Sequence, residues 1–136
     1  MGFVYADITL QNAGDVTRCK DGLIKEHEIR QTTLTAIVDT GAATLVINEI
    51  IRQQLGLDIG DRYPAKLANG TRHEYFRTEP VIIHWKNRKA ITRAIFVPEA
   101  PEVLLGAIPL EEMDLIINPL EEKLTGAHGD EMVFRV

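Results

Sequence analysis

The sequence predicts an all-β domain carrying one or two short helices, and three observations lead there. Residues 3 to 10 alternate, with Val4, Ala6, Ile8 and Leu10 on one face and Tyr5, Asp7 and Thr9 on the other. That period of two belongs to a half-buried strand. Asn69-Gly70 lies between two strand-like stretches, 62–68 and 71–76, and the dipeptide suits a tight hairpin turn. A second pair, Val81-Ile82-Ile83-His84-Trp85 and Ala90 to Val97, flanks Lys86-Asn87-Arg88 in the same manner.

Taken in order, Asn12-Ala13-Gly14-Asp15 reads as a turn after the first strand, and Asp21-Gly22 as another. Gln31 to Val38, rich in Thr, Ile and Val, builds a strand that feeds Asp39 into Thr40-Gly41-Ala42, a run with little bulk and a sharp bend. Thr44-Leu45-Val46-Ile47 is a short apolar strand. Asn48 caps a helix over 49–55, which Gly56 closes while Leu57 folds back as an apolar contact. The Asn69-Gly70 hairpin follows, with positive φ expected at both residues. Lys86-Asn87-Arg88-Lys89, the one basic cluster, reads as a solvated hairpin tip. Val103-Leu104-Leu105-Gly106 is an apolar strand, and Pro109, Glu111 and Glu112 suit the start of a short helix after it. Leu115-Ile116-Ile117 forms a final core strand, Asn118-Pro119 a turn, and Met132 to Val136 one more short strand.

A chain of 136 residues suits one domain, 1–136, burying roughly two-thirds of the surface its unfolded form would expose. With 45% hydrophobic and 26% charged residues and no apolar run of spanning length, no membrane partner is expected. The N-terminal residues lack a basic region and a sustained apolar stretch, so the expected location is cytoplasmic. Cys19 is the single cysteine, which excludes an internal disulfide and a multi-cysteine metal site. His27, His73, His84 and His128 are scattered, so neither metal nor cofactor is expected. Twenty acidic against 15 basic residues, net −5, argue against phosphate-driven nucleic-acid binding.

Chemistry concentrates in Ile37-Val38-Asp39-Thr40-Gly41-Ala42. A carboxylate carried by an apolar strand into a dry turn is costly unless a partner or hydrogen bonds share its charge. Taken alone, the stretch is also an ordinary turn whose Asp caps the backbone. The hexapeptide resembles the active-site motif of retropepsin-like, clan AA aspartic peptidases, in which each short chain supplies one Asp-Thr-Gly and a homodimer supplies the pair. Two further anchors resemble the family: a hairpin at Lys66-Leu67-Ala68-Asn69-Gly70-Thr71 where a flap belongs, and Leu104-Leu105-Gly106 leading into a helix. The likeness covers about residues 33–119 and is nearer to small cellular and prokaryotic members than to viral ones.

The resemblance implies a closed barrel with one lobe per chain and no second lobe to complete the site. Asp39, Thr40 and Gly41 are then the catalytic motif, with Thr40 holding two turns in register across a two-fold axis. Ala42 lines the floor, and Ala68, Asn69 and Gly70 form the flap tip over an extended polypeptide. The partners implied are a second copy and a peptide substrate. The chain departs from many viral members at Ala43 and Ala107, where those carry an Asp and an Arg that pair near the interface. Both partners are missing together, which leaves no orphan charge. Two other readings stand beside the peptidase: a catalytically silent module of the same fold that binds peptide strands or a protein, which the missing pair motivates, and a structural all-β subunit.

Overall fold

The computed structural model describes residues 2–67 and 69–136. Along the chain run β1 (Val4–Asn12), α1 (Ala13–Lys20), β2 (Gln31–Val38), β3 (Val46–Ile47), α2 (Glu49–Leu55), β4 (Ile59–Lys66) and β5 (Arg72–Trp85). They continue as β6 (Arg88–Phe96), β7 (Leu104–Leu105), α3 (Ala107–Glu112), β8 (Leu115–Asn118) and β9 (Lys123–Gly126).

Seven strands form one sheet in the order β1-β2-β7-β3-β6-β5-β4. It closes into a ring because the far end of β1 also pairs with β5, Thr9 facing His84 and Asn12 facing Val81. Only β4 stays outside the ring, as an extension of β5. Most pairings are antiparallel, but β7 runs parallel to β2 and β3 parallel to β6, so chain segments distant in sequence meet at the centre. The alternation of β1 is observed: Ala6, Ile8 and Leu10 are buried while Tyr5 and Asp7 face outward. With Leu45, Ile47, Leu55, Leu57, Ile83 and Leu105 they make one core inside the ring.

α2 forms as its sequence dictates. The Asn48 side chain accepts the Ile51 N–H at 3.1 Å, Gly56 adopts φ +60°, and Leu57 N–H returns to the Arg52 carbonyl at 3.1 Å. Leu57 is buried as the contact that closes the motif.

The turn expected at Asn12-Ala13-Gly14-Asp15 instead opens α1. Asn12 accepts from Asp15 N–H at 3.0 Å, the bond of an Asx turn that also serves as a helix cap, and its amide donates to the Leu55 carbonyl at 2.9 Å. Nothing in a stretch containing Gly14, Val16 and Thr17 favours a helix strongly. Tertiary contacts hold it: Asp15, its side chain 4% exposed, accepts from Arg30 Nε at 2.8 Å, from the Arg30 backbone N–H at 3.0 Å and from Arg18.

These bonds, led by the Arg30 side chain, hold the Asp15 carboxyl well below the ordinary carboxylate range. A depressed folded-state value means a contribution to stability that is complete above the ordinary range and fades as pH falls through the folded value. Asp15→Asn should therefore cost about 1–3 kcal/mol at neutral pH, and the gap to wild type should narrow in strong acid. Urea unfolding at neutral and at strongly acidic pH checks this; a gap that widens in acid would contradict it.

Two expectations near the far end of the barrel are corrected. The basic cluster is not wholly solvated, because Arg88 is only 3% exposed. Its guanidinium donates to the carbonyls of Met113 at 2.9 Å, Asp114 at 2.7 Å and Gly129, clamping the turn after α3 to the last loop. Met132 to Val136 forms no strand. The segment is held by side chains instead, Asp114 accepting from Val133 N–H at 3.1 Å and lying 2.8 Å from His128.

Candidate functional site

The site grows from the parallel contact of β2 and β7. Ile37 N–H donates to the Val103 carbonyl at 2.9 Å and Asp39 N–H to the Leu105 carbonyl at 3.0 Å, so the Asp backbone is fixed as β2 ends. The chain then turns: Ala42 N–H bonds the Asp39 carbonyl at 3.1 Å, and Gly41 N–H donates to Asp39 Oδ1 at 2.9 Å. The carbonyls of Ala42 and Ala43 accept from Ala107 and Ile108, each at 2.9 Å. Those are the first N–H groups of α3, which have no partner inside the helix. The turn and α3 thus complete each other.

Gly106 makes that contact possible. A Cβ there would lie 2.4 Å from the Thr44 carbonyl oxygen and 2.5 Å from that of Ala42. The Leu-Leu-Gly anchor of the sequence is therefore a crossing point where backbones touch.

Asp39, Thr40, Gly41 and Ala42 are brought together by this turn. Asp39 and Ala42 are half-buried, while Thr40 and Gly41 are exposed. Among the described residues Gly41 alone donates to the Asp39 carboxylate, which leaves most of its acceptor capacity unfilled. Thr40 borders a hollow of about 280 Å³ lined by Leu110, Leu115, Ile116 and Ile117. Ile116 is 51% exposed, so this apolar surface beside the motif lies open.

Asn69 and Gly70 lie together at the tip of the β4–β5 hairpin, and Ala68 lies outside the described residues. The two-residue turn with positive φ at both positions is corrected. Leu67 N–H pairs with the Thr71 carbonyl at 2.8 Å, Gly70 N–H returns to the Leu67 carbonyl at 2.9 Å, and Gly70 at φ +86° carries the positive angle. This is the pattern of a three-residue loop with a glycine bulge. The Asn69 side chain takes the work of a second left-handed residue, accepting from the Thr71 N–H at 3.0 Å and its hydroxyl at 2.6 Å.

The hairpin meets the Asp turn at its base rather than its tip. Tyr63 of β4 and Arg77 of β5 share a pocket of about 170 Å³ with Ala43, Thr44, Arg93 and Ile108. No local motif announces this pocket. Its residues come from five separate stretches, and neither Arg77 nor Arg93 stands out in its own. Among the described residues no group of three His, Cys, Asp or Glu is placed to hold a metal ion, and no helix is long and apolar enough to cross a membrane.

The sequence model of a family described as gag-polyprotein putative aspartyl protease matches residues 26–112. The match spans β2, the Asp turn, the hairpin, β7 and α3. Among solved structures the chain is similar to EIAV protease complexed with the inhibitor HBY-793, with a TM-score of 0.52 and 23% identity over 81% of this chain and 86% of that one. This is a likeness of fold. No curated protein sequence matches the chain.

Proposed function

Since the chain belongs to the gag-polyprotein putative aspartyl protease family, we propose that two copies associate into an aspartic endopeptidase whose paired Asp39 carboxylates activate water. The observation that carries this reading is the half-built state of the site. Asp39 is fixed by backbone bonds on a rigid crossing, yet its carboxylate receives only the Gly41 N–H among the described residues. A second carboxylate across a two-fold axis would complete it.

Two such carboxylates close together cannot both ionise, so they share one proton. The ionised member draws a proton from the water between them as that water attacks the scissile carbonyl. The protonated member donates to the carbonyl oxygen, and the pair then returns a proton to the leaving nitrogen. Thr40, exposed beside the open apolar hollow, would bond across the interface, and Ile116 and Ile117 would be covered there. Gly41 and Ala42 offer a floor without bulk to an extended peptide, and the β4–β5 hairpin serves as the lid.

The test is digestion of a peptide library at several pH values with new termini mapped by mass spectrometry, repeated across a dilution series of the protein. Endoproteolysis whose specific rate falls on dilution, alongside dissociation in sedimentation, is the expected result. A strictly monomeric chain that cuts nothing would overturn the proposal. The lid makes a separate expectation. Gly70→Val forces a branched side chain to φ +86°, costing about 1–3 kcal/mol, so KM should rise about tenfold and the unfolding midpoint should fall in proportion to that cost. An unchanged KM would remove the hairpin tip from substrate binding.

A further inference from the structure

The pocket between the Asp turn and the hairpin base carries chemistry that the dyad does not use. Its charged lining residues are both arginines, Arg77 from β5 and Arg93 from β6. They converge on one carboxylate, Asp61, Arg93 Nη1 lying 2.8 Å from its Oδ1 and Arg77 contacting Oδ2. Asp61 does not line the pocket, so the wall keeps a net positive charge. Each guanidinium carries five N–H donors, and Asp61 occupies a minority of them. Arg77 Nε is moreover buried with no hydrogen-bond partner among the described residues, an unsatisfied donor of the kind that native structures rarely leave.

The remaining lining is suited to a short polar side chain with an aliphatic stem. Ala43 and Ile108 are apolar, the hydroxyls of Thr44 and Thr92 bond each other at 3.0 Å, and Tyr63 packs under the Arg77 guanidinium at 5.8 Å. A volume of about 170 Å³ lies below the ~300–1,000 Å³ of sites for whole small molecules, which fits a single residue of a longer ligand. Its location supplies the ligand: Ala43 follows Ala42 directly, and Ala43 is tied to Ile108 by the bond that anchors α3. A peptide lying along the turn would pass this opening.

We propose that this pocket is an acid-selecting subsite, taking a Glu or Asp side chain of the peptide near the bond that is cut. The inference rests on the peptide-processing reading above. Charge-assisted bonds from two guanidiniums to one carboxylate are the strong, geometrically specific kind. The neutral amide of Gln or Asn would leave the positive wall unanswered, which makes charge the discriminating feature.

The test uses a positional-scanning peptide library in which each position is Glu, Asp, Gln or Asn in turn, read in two ways. Cleavage by the wild-type chain gives a ratio of kcat/KM for acidic over amide peptides. Binding of the same peptides to the Asp39→Asn chain, followed by fluorescence anisotropy, gives a ratio of affinities that needs no turnover. An acidic preference of about tenfold or more at one position is expected in both. It should fall toward unity in Arg93→Gln and in Arg77→Gln, and weaken as salt is raised. Two variants guard against one that fails to fold, and circular dichroism reports folding. Cleavage without acidic preference at any position overturns the subsite while the peptidase stands. Selective binding of acidic peptides without cleavage sustains the subsite and overturns the peptidase. Equal affinity for acidic and amide peptides removes the subsite whichever way cleavage falls.

Discussion

Asp39→Asn is expected to lower kcat by at least about a thousandfold while leaving fold and association intact. The carboxamide cannot draw a proton from water, and loss of general acid–base work alone spans about 10²–10⁴. Interdependent catalytic groups make a single loss cost nearly the whole chemical step. Asn is close in shape to Asp and keeps an oxygen to accept the Gly41 N–H, now at 2.9 Å, so the turn survives. Mixed dimers sharpen the expectation. An equal mixture of wild type and variant, once exchanged, should retain about one quarter of the activity of the same total of wild type, because only dimers with two intact chains work. Chains acting singly would retain about one half. Full activity in the variant, or the one-half result, would refute a shared dyad.

The second large effect is structural. Gly106→Ala puts a methyl group 2.4 Å from the Thr44 carbonyl oxygen, 2.5 Å from that of Ala42 and 2.8 Å from the Thr44 nitrogen. All three atoms are backbone, and the segments carrying them are anchored by the Ala42–Ala107 and Ala43–Ile108 bonds, so none can rotate aside. Relief requires moving the Asp turn away from α3. A destabilisation of about 3 kcal/mol or more is expected, with cleavage lost in the fraction that remains folded. Gly2→Ala, whose nearest atom is 3.8 Å away, should stay within ~0.5 kcal/mol of wild type. Denaturant midpoints of the two variants measured together check the contrast. A Gly106→Ala chain as stable as wild type would mean the crossing yields more than the fixed bonds allow.

These two residues belong to stretches that could be read from the sequence. Asp39 and Gly106 each sit at the end of an apolar run whose next residues are small, and each run makes a local statement about a strand stopping at a bend. α2 was equally legible, since Asn48, Gly56 and Leu57 fix both of its ends within a few residues of one another. The three-residue loop at Asn69-Gly70 shows where that legibility thins. Asn-Gly announces a hairpin, but a side-chain bond from Asn69 to Thr71 selects the bulged form.

α1 and Arg88 were misread because their partners lie elsewhere in the chain. Asn12-Ala13-Gly14-Asp15 has the composition of a turn, and Arg30, beside it just before β2, holds that turn as a capped helix by neutralising a buried carboxylate. Arg88 sits among Lys86, Asn87 and Lys89, as a solvated residue would. Carbonyls from Met113, Asp114 and Gly129 take it into the interior.

Most of the strands, the Asp turn, the hairpin and the family were legible in local sequence, because each depends on residues close enough to constrain one another through local backbone geometry, although the strand expected at Met132 to Val136 does not form. The threading of β7 between β2 and β3, the backbone contact that Gly106 permits, and the pocket that Arg77 and Arg93 share with Ala43 emerge only in the fold. Those arrangements join segments far apart along the chain. The free energy that selects them comes from burying the common core and satisfying the groups at its edge, and no local run of residues contains that balance.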